Sequence, residues 1–149
     1  MPETMRGAVA VEFAMLLIPL LLLVLGVAEF GRALYQYNTL VKTARDSVRH
    51  LSHLNPASKD YEVIKTEAKC LAVYGNTSCG GKTLLPGLTT SMVSINPINA
   101  TTSAGKVITL AEVRITGYAF DFVLDPRTLM GGGEKSITFG DIRATMRQS

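Results

Sequence analysis

Arg6-Gly7-Ala8-Val9-Ala10-Val11-Glu12-Phe13, running on through Ala14-Met15-Leu16-Leu17-Ile18-Pro19-Leu20-Leu21-Leu22-Leu23-Val24-Leu25 to Gly26-Val27-Ala28, is the stretch on which the fold of this chain turns. Residues 8–28 are apolar except at Glu12. About twenty residues at roughly 1.5 Å of rise each span the hydrocarbon of a bilayer. Glu12 is an expensive placement in such a helix: a charged acid near the centre of a spanning segment costs about 2.5–3.5 kcal/mol on insertion scales, and less toward the edge. An ordinary signal anchor has no reason to bear that cost. Pro19 sits inside the run, where membrane helices tolerate proline better than soluble ones do. Gly26 and Gly31 offer small faces on which another helix could pack.

Downstream the helical pattern persists and turns amphipathic. Ala33, Leu34, Tyr37, Leu40, Val41, Ala44, Val48 and Leu51 recur at steps of three and four, which fits one buried stripe. Gln36 and Asn38 add polarity, and Lys42, Arg45, Asp46 and Arg49 occupy the opposite face. Asn55-Pro56 is a stop signal, so the helix is expected to end near Leu54. One rod from Ala8 to Leu54 would be roughly 70 Å long.

A second helix is expected over about Ser58 to Tyr74, with Asp60 and Glu62 in its first turn, Gly75 at its end, and Tyr61, Ile64, Ala68, Leu71 and Ala72 on its apolar side. From Leu88 onward β-branched residues dominate, and alternation is clear in Met92–Asn96 and Ala111–Tyr118. Strands are expected at about 89–96, 106–123 and 136–146. Pro97 to Gly105 reads as one connector, and Asp125-Pro126 through Gly131-Gly132-Gly133 as another. The fold class that follows is α+β: a long N-terminal transmembrane and amphipathic helix, a second short helix, and a small antiparallel sheet packed on the amphipathic face.

The bulk numbers exclude several functions. With 149 residues and about thirty of them in lipid, enough chain remains for one modest core. The net charge of +3 is mild, and no Lys/Arg cluster is interleaved with aromatics, which argues against nucleic-acid binding. No nucleophile lies near a base in sequence, and Glu112, Asp121, Asp125 and Asp141 are scattered, so the chain does not read as an enzyme and no catalytic residue is assigned. The glycine triplet reads as a turn and not as a phosphate cradle.

Cys70 and Cys79 have eight residues between them. On export they would close a small disulfide loop worth about 2–3 kcal/mol in the chain-entropy account; in the cytosol they would be free thiols. No metal or other cofactor is expected, because zinc wants about four ligands and His50 and His53 lie on another element. Three apart at a helix end, these histidines suit the final carbonyls better than a metal. Glu29 and Arg32 could pair, although a solvated Glu29 is the plainer expectation.

These residues resemble a known family. Arg6 to Ala14, a leucine-rich span, Glu29-Phe30-Gly31-Arg32-Ala33 and Ala44-Arg45-Asp46-Ser47-Val48-Arg49 together resemble the TadE-like pseudopilins of Flp (tight adherence) pilus systems, whose N-terminus is type IV pilin-like. The closing Ala144-Thr145-Met146-Arg147 is similar to how such chains end. The resemblance is strong over residues 6–53 and faint between 55 and 135. It implies a bacterial inner-membrane protein, single-pass, with a cytoplasmic N-terminus and a periplasmic C-terminal domain, found after assembly in the pilus or outside the cell.

The resemblance further implies cleavage by a prepilin peptidase at Gly7–Ala8, which puts Glu12 fifth in the mature chain. Where the major pilins of these systems usually have Glu-Tyr, this chain has Glu12-Phe13, which leans toward the minor, pseudopilin side. Positive charges alone do not orient the helix, because Arg6 and the amino terminus oppose Arg32, Lys42, Arg45 and Arg49; the resemblance supplies the orientation.

The expected organisation is a leader over 1–7, a transmembrane helix over 8–28, its periplasmic continuation over 29–54, and an α+β head over 55–149. The expected function is a minor pilin or pseudopilin of a Tad (Flp) system, supporting pilus assembly, adherence or secretion. Its partners would be the peptidase, other pilins and pseudopilins, Tad assembly proteins and the membrane, with no nucleic acid. Physically, cleavage frees an amine at Ala8, and Glu12, one turn on, could pair with it internally or reach a neighbour's amine and so set register. In a plainer reading Glu12 snorkels to the membrane edge. The alternative function is a membrane-anchored periplasmic binding or scaffold domain that never enters a filament. A third is a soluble exported protein cut after Ala28, where Gly26-Val27-Ala28 suits a signal peptidase.

Overall fold

A computed structural model describes residues 3–53, 56, 58–125, 127 and 131–148, with side chains from residue 7 onward. Its elements are α1 (Glu3–Ser52), α2 (Tyr61–Tyr74), a 3-10 turn (Thr90–Met92), β1 (Val93–Thr101), β2 (Val107–Ile115), β3 (Ala119–Asp121), β4 (Ser136–Thr138) and β5 (Ile142–Arg147). The chain divides into two units, Met1–Leu34 and Tyr35–Ser149.

The first unit is the N-terminal part of α1. Its apolar side chains from Val9 to Val27 are exposed, as they must be in a helix with no protein packed around it. It is the chain's one described helix long and apolar enough to cross a membrane. Pro19 lies inside α1 without ending it. Of the expected end near Leu54 and its Asn55-Pro56 stop signal, residues 54 and 55 lie outside the described residues; the helix itself ends at Ser52.

The second unit is built on the remainder of α1. Leu40, Ala44, Val48 and Leu51 are fully buried, as the three-four spacing requires. Two expected stripe members differ: Leu34 and Tyr37 remain 45% and 44% exposed. Gln36, Thr43 and Ser47 are buried in their place, so the inward face is rotated toward polar residues. Lys42, Arg45, Asp46 and Arg49 are solvent-facing, as read from the sequence.

In α2, Tyr61, Ala68, Cys70, Ala72 and Val73 are buried. The helix begins at Tyr61 and not at Ser58, because residues 58–60 form a turn in which the Ser58 carbonyl accepts the Tyr61 N–H at 3.2 Å. It ends where Gly75 enters the left-handed region (φ 74°) and donates its N–H to the Leu71 carbonyl at 3.0 Å.

The β-rich half forms two small sheets. The first has the order β1-β2-β5, antiparallel throughout; the second pairs β3 with β4. Register places Val93 opposite Ile115, Ile95 opposite Val113, and Ile142 opposite Ile115, so these side chains share one face. That face joins Leu40, Ala44, Val48 and Leu51 of α1 and Ala68, Ala72 and Val73 of α2 in one core. Each fully buried large aliphatic contributes about 1.5–3 kcal/mol of transfer free energy. The opposite face is polar. Arg114 reaches Glu112 at 3.2 Å and Asp141 at 3.9 Å, and Arg143 reaches Asp141 at 3.3 Å.

Three strand boundaries depart from expectation. Residues 90–92 wind into a 3-10 turn, and β1 instead runs through Pro97 to Thr101. Proline is tolerated there because β1 is an edge strand, with β2 as its one partner. The single strand expected over 106–123 is broken at Gly117, whose φ of 73° cannot continue a strand. The strand expected over 136–146 is interrupted at Phe139–Asp141, which divides β4 from β5.

Candidate membrane-spanning and assembly segment

Gly7, Ala8 and Glu12 all lie in the first turns of the described part of α1, and all three are exposed. A Cβ placed on Gly7 would meet nothing within 4 Å, so no packing demand explains a glycine there. The same holds for Gly26 and Gly31. Glu12 follows Ala8 by one turn, about 6 Å of rise. Among the described residues its carboxylate has no hydrogen-bond or ion-pair partner. A lone carboxylate in an apolar helix is costly in lipid until a cation or a donor meets it. Met1 and Pro2, and the side chain of Arg6, lie outside the described residues.

The apolar run ends in a charge pair. Arg32 Nη1 donates to Glu29 Oε2 at 2.6 Å, one turn apart on the same helix, and the Glu29 side chain is 13% exposed. The plainer expectation of a solvated Glu29 is corrected by this contact. The pair suits the end of an apolar span, because each charge there lowers the desolvation cost of the other.

In the second unit Cys70 and Cys79 are disulfide-bonded, with Cα atoms 4.7 Å apart. Inside their loop Asn76 acts as a hub. Its Nδ2 donates to the Gly80 carbonyl at 2.8 Å and the Tyr74 carbonyl at 3.3 Å, and its Oδ1 accepts from Gly80 N–H and Ser78 Oγ. The Leu84 N–H then donates to the Val73 carbonyl at 2.8 Å, folding the loop back on α2. An open cavity of about 540 Å³ lies between this loop and α1, lined among others by Tyr35, Lys42, Asp46, Leu71 and Leu84.

The histidines do not cap the helix end as expected. His50 Nε2 lies 3.1 Å from Glu67 Oε2 and so ties α1 to α2, while His53 stands apart from it in that contact. No cluster of three or more His, Cys, Asp or Glu that could hold a metal occurs among the described residues.

Two long-range polar contacts were missed from sequence. Tyr118 Oη donates to Gln36 Oε1 at 2.8 Å, and both residues are buried. Gln148 Nε2 donates to the Tyr61 hydroxyl at 3.2 Å and to the Leu51 carbonyl at 3.4 Å, while its backbone N–H donates to Thr109. The available signal was spacing alone: Gln36, Thr43 and Ser47 are seven and four residues apart, on one helical face.

The structure thus joins Cys70 to Cys79 and places Glu12 one turn from Ala8. The first pair belongs to the second unit and the other two residues to the first. A family model described as TadE-like protein matches residues 7–49, less than a third of the chain. No curated protein and no solved structure matches. The matched stretch holds the apolar span, Glu12, the Glu29–Arg32 pair and most of the amphipathic continuation. Over residues 7–49 this chain is thus similar to the TadE-like proteins, and the same stretch holds its helix long and apolar enough to cross a membrane.

Proposed function

We propose that the chain is a minor pilin or pseudopilin of a Tad (Flp) system, made as a precursor and cut by a prepilin peptidase between Gly7 and Ala8. Residues 8–28 hold it in the bacterial inner membrane, residues 29–52 continue the helix into the periplasm, and the α+β part lies there too. In this reading it supports pilus assembly, adherence or secretion as a structural subunit, beside other pilins and the Tad assembly proteins.

The observation that carries the reading is the coincidence of three features in one matched segment: a glycine with no packing role, a partnerless acid five residues later, and an apolar helix exposed on all sides. Cleavage would turn the Ala8 amide into an ammonium. In lipid a lone carboxylate and a lone ammonium are strongly driven together. Glu12 can satisfy its own Ala8 or the Ala8 of an adjacent subunit. The second pairing fixes the axial offset between subunits, so Glu12 acts as a register residue.

Intact mass of the protein taken from native membranes tests the processing step. Loss of Met1–Gly7 is expected. An uncut chain refutes processing and leaves a tethered periplasmic domain; loss of Met1–Ala28 refutes membrane retention. Glu12→Leu tests the register role: the variant should be processed but fail to co-assemble, and normal assembly by it would remove that role.

A further inference from the structure

We propose that the outer edge of β5 is a docking site for an extended, acidic segment of another protein, which adds to the β1-β2-β5 sheet as a further strand. The site lies wholly within the second unit and is independent of the processing and anchoring set out above.

Backbone alternation fixes which groups face outward. The Gln148 N–H donates to the Thr109 carbonyl at 3.0 Å, so in the register of β2 with β5 the residues Ile142, Ala144 and Met146 turn their N–H and C=O groups toward β2. Arg143, Thr145 and Arg147 alternate with them and turn theirs away. Among the described residues no strand lies on that side, and the backbone groups of these three have no hydrogen-bond partner. All three residues are exposed. At about 3.3 Å per residue they present roughly 13 Å of unpaired ladder. Such an edge is a template for pairing with another chain.

The other edge of the same sheet is blunted. The Thr116 N–H donates to the Met92 carbonyl and the Thr102 N–H to the Lys106 carbonyl, so on β1 it is Val93, Ile95, Pro97, Asn99 and Thr101 that face outward. Pro97 has no N–H to offer, which leaves a gap in the middle of that edge. Over β5 the chain has no proline, and its register with β2 is unbroken. One edge is thus closed to strand addition and the other left open.

Charge selects the occupant. Arg143 and Arg147 stand at the two ends of the open edge. Arg143 already has Asp141 at 3.3 Å, but Arg147 has no ion-pair partner among the described residues. Neither has Lys106, which together with Arg147, Pro56 and Gln148 lines a cleft of about 230 Å³ at the end of the strand. Two cations on one cleft repel each other and attract a carboxylate. On the face turned to the core, Met146 is left 38% exposed, which suits an apolar neighbour. The incoming strand therefore carries an acid opposite Arg147 and apolar residues at alternate positions, and it gains backbone pairing and a charge-assisted contact together. A second copy of β5, laid antiparallel about Thr145, would set Arg143 against Arg147 and is disfavoured.

The test uses the full chain in micelles and two short capped peptides, one alternating glutamate with valine and the other lysine with valine. Amide hydrogen exchange is followed residue by residue. The glutamate peptide should slow exchange at Arg143, Thr145 and Arg147 several-fold and leave Asn99 and Thr101 on the β1 edge unchanged; the lysine peptide should have no effect. Thr145→Pro removes an outward N–H and no bond to β2, as Pro97 does on β1, so it should abolish the protection while the unfolding midpoint stays close to that of the parent chain. Arg147→Glu should reverse the preference to the lysine peptide, which a general loss of structure would not do. Absence of protection by the glutamate peptide, equal protection by both peptides, or protection that survives Thr145→Pro would overturn the proposal. If Thr145→Pro unfolds the head, Arg147→Glu decides alone, and an unchanged preference overturns it. Protection at these amides that rises with protein concentration in the absence of peptide would overturn it as well, because a second copy would then occupy the edge.

Discussion

Removing the hydroxyl of Tyr118 should cost far more than one oxygen on the surface. Tyr118 is 3% exposed, Gln36 is 9% exposed, and their bond of 2.8 Å joins residues 82 apart in sequence. A hydrogen bond of this kind contributes about 1 kcal/mol net, but a buried partner left without it adds a desolvation penalty of about 1–3 kcal/mol. Tyr118→Phe leaves the Gln36 amide oxygen in that position, so a loss of about 2 kcal/mol is expected. Gln36→Leu should cost a similar amount. The double variant, with two apolar side chains facing each other, should cost less than the sum by about 1–3 kcal/mol, within the range measured for contacting pairs. Urea unfolding of the full chain in detergent micelles, followed by near-ultraviolet circular dichroism, reads this directly. At an m-value of about 2 kcal/mol/M, each single variant should move the midpoint by about 1 M. Single effects that add within about 0.3 kcal/mol would refute the claim that these two groups depend on each other.

Three further outcomes follow from local geometry. Breaking the Cys70–Cys79 bond, by reduction or by Cys79→Ser, should destabilise the head by about 2–3 kcal/mol, read as a shifted unfolding midpoint. Gly75→Ala should destabilise by about 1 kcal/mol or more, because φ is 74° and a Cβ would stand 3.2 Å from Leu84 Cδ2; thermal unfolding checks it. The Asp125 carboxyl, held by the Arg127 side chain and backbone N–H, is lowered from 3.8 to about 2. A folded-state value below the unfolded one means that the contact is complete above about pH 4 and is lost as pH falls through about 2. Carboxyl chemical shifts should titrate there, and Arg127→Ala should return the midpoint toward the ordinary carboxylate range.

What the sequence disclosed, it disclosed through period and composition. Twenty apolar residues and one acid over residues 8–28 make a helix long and apolar enough to span a membrane, and Leu40, Ala44, Val48 and Leu51 announce their buried face by spacing alone. Gly75 announced its helix end through its lack of a Cβ. The misreadings share a cause. Proline breaks a central strand but is harmless on an edge, and no local pattern says that β1 has one neighbour. Gly117 sits inside a β-branched run, where a glycine in a strand and a glycine that ends one look alike until the backbone angle is known. Gln36 and Gln148 are buried because partners 82 and 87 residues away supply their hydrogen bonds, and such distances leave no trace in a local window. His50 likewise takes Glu67, seventeen residues on, in preference to the carbonyls of its own helix.

The division of α1 between two environments makes a prediction that separates anchoring from folding. Leu21 is 50% exposed and Leu40 is fully buried, yet both are leucines on one helix with the same intrinsic propensity. Leu40→Ala removes side-chain atoms from the core shared with β1, β2 and α2, and should cost about 2–5 kcal/mol, the range for truncating a buried leucine. Leu21→Ala creates no cavity in the head, because Leu21 lies in the first unit, outside that core. Hydrogen exchange of the full chain in micelles should therefore show faster exchange across β2 and α2 for Leu40→Ala and unchanged exchange there for Leu21→Ala. Faster exchange in the head of the Leu21 variant would mean that the two units share stability, and that the span does more than anchor. If the exchange stays separate, assembly defects caused by changes between residues 9 and 27 can be read as losses of helix–helix or helix–lipid contact, with no allowance for a damaged head.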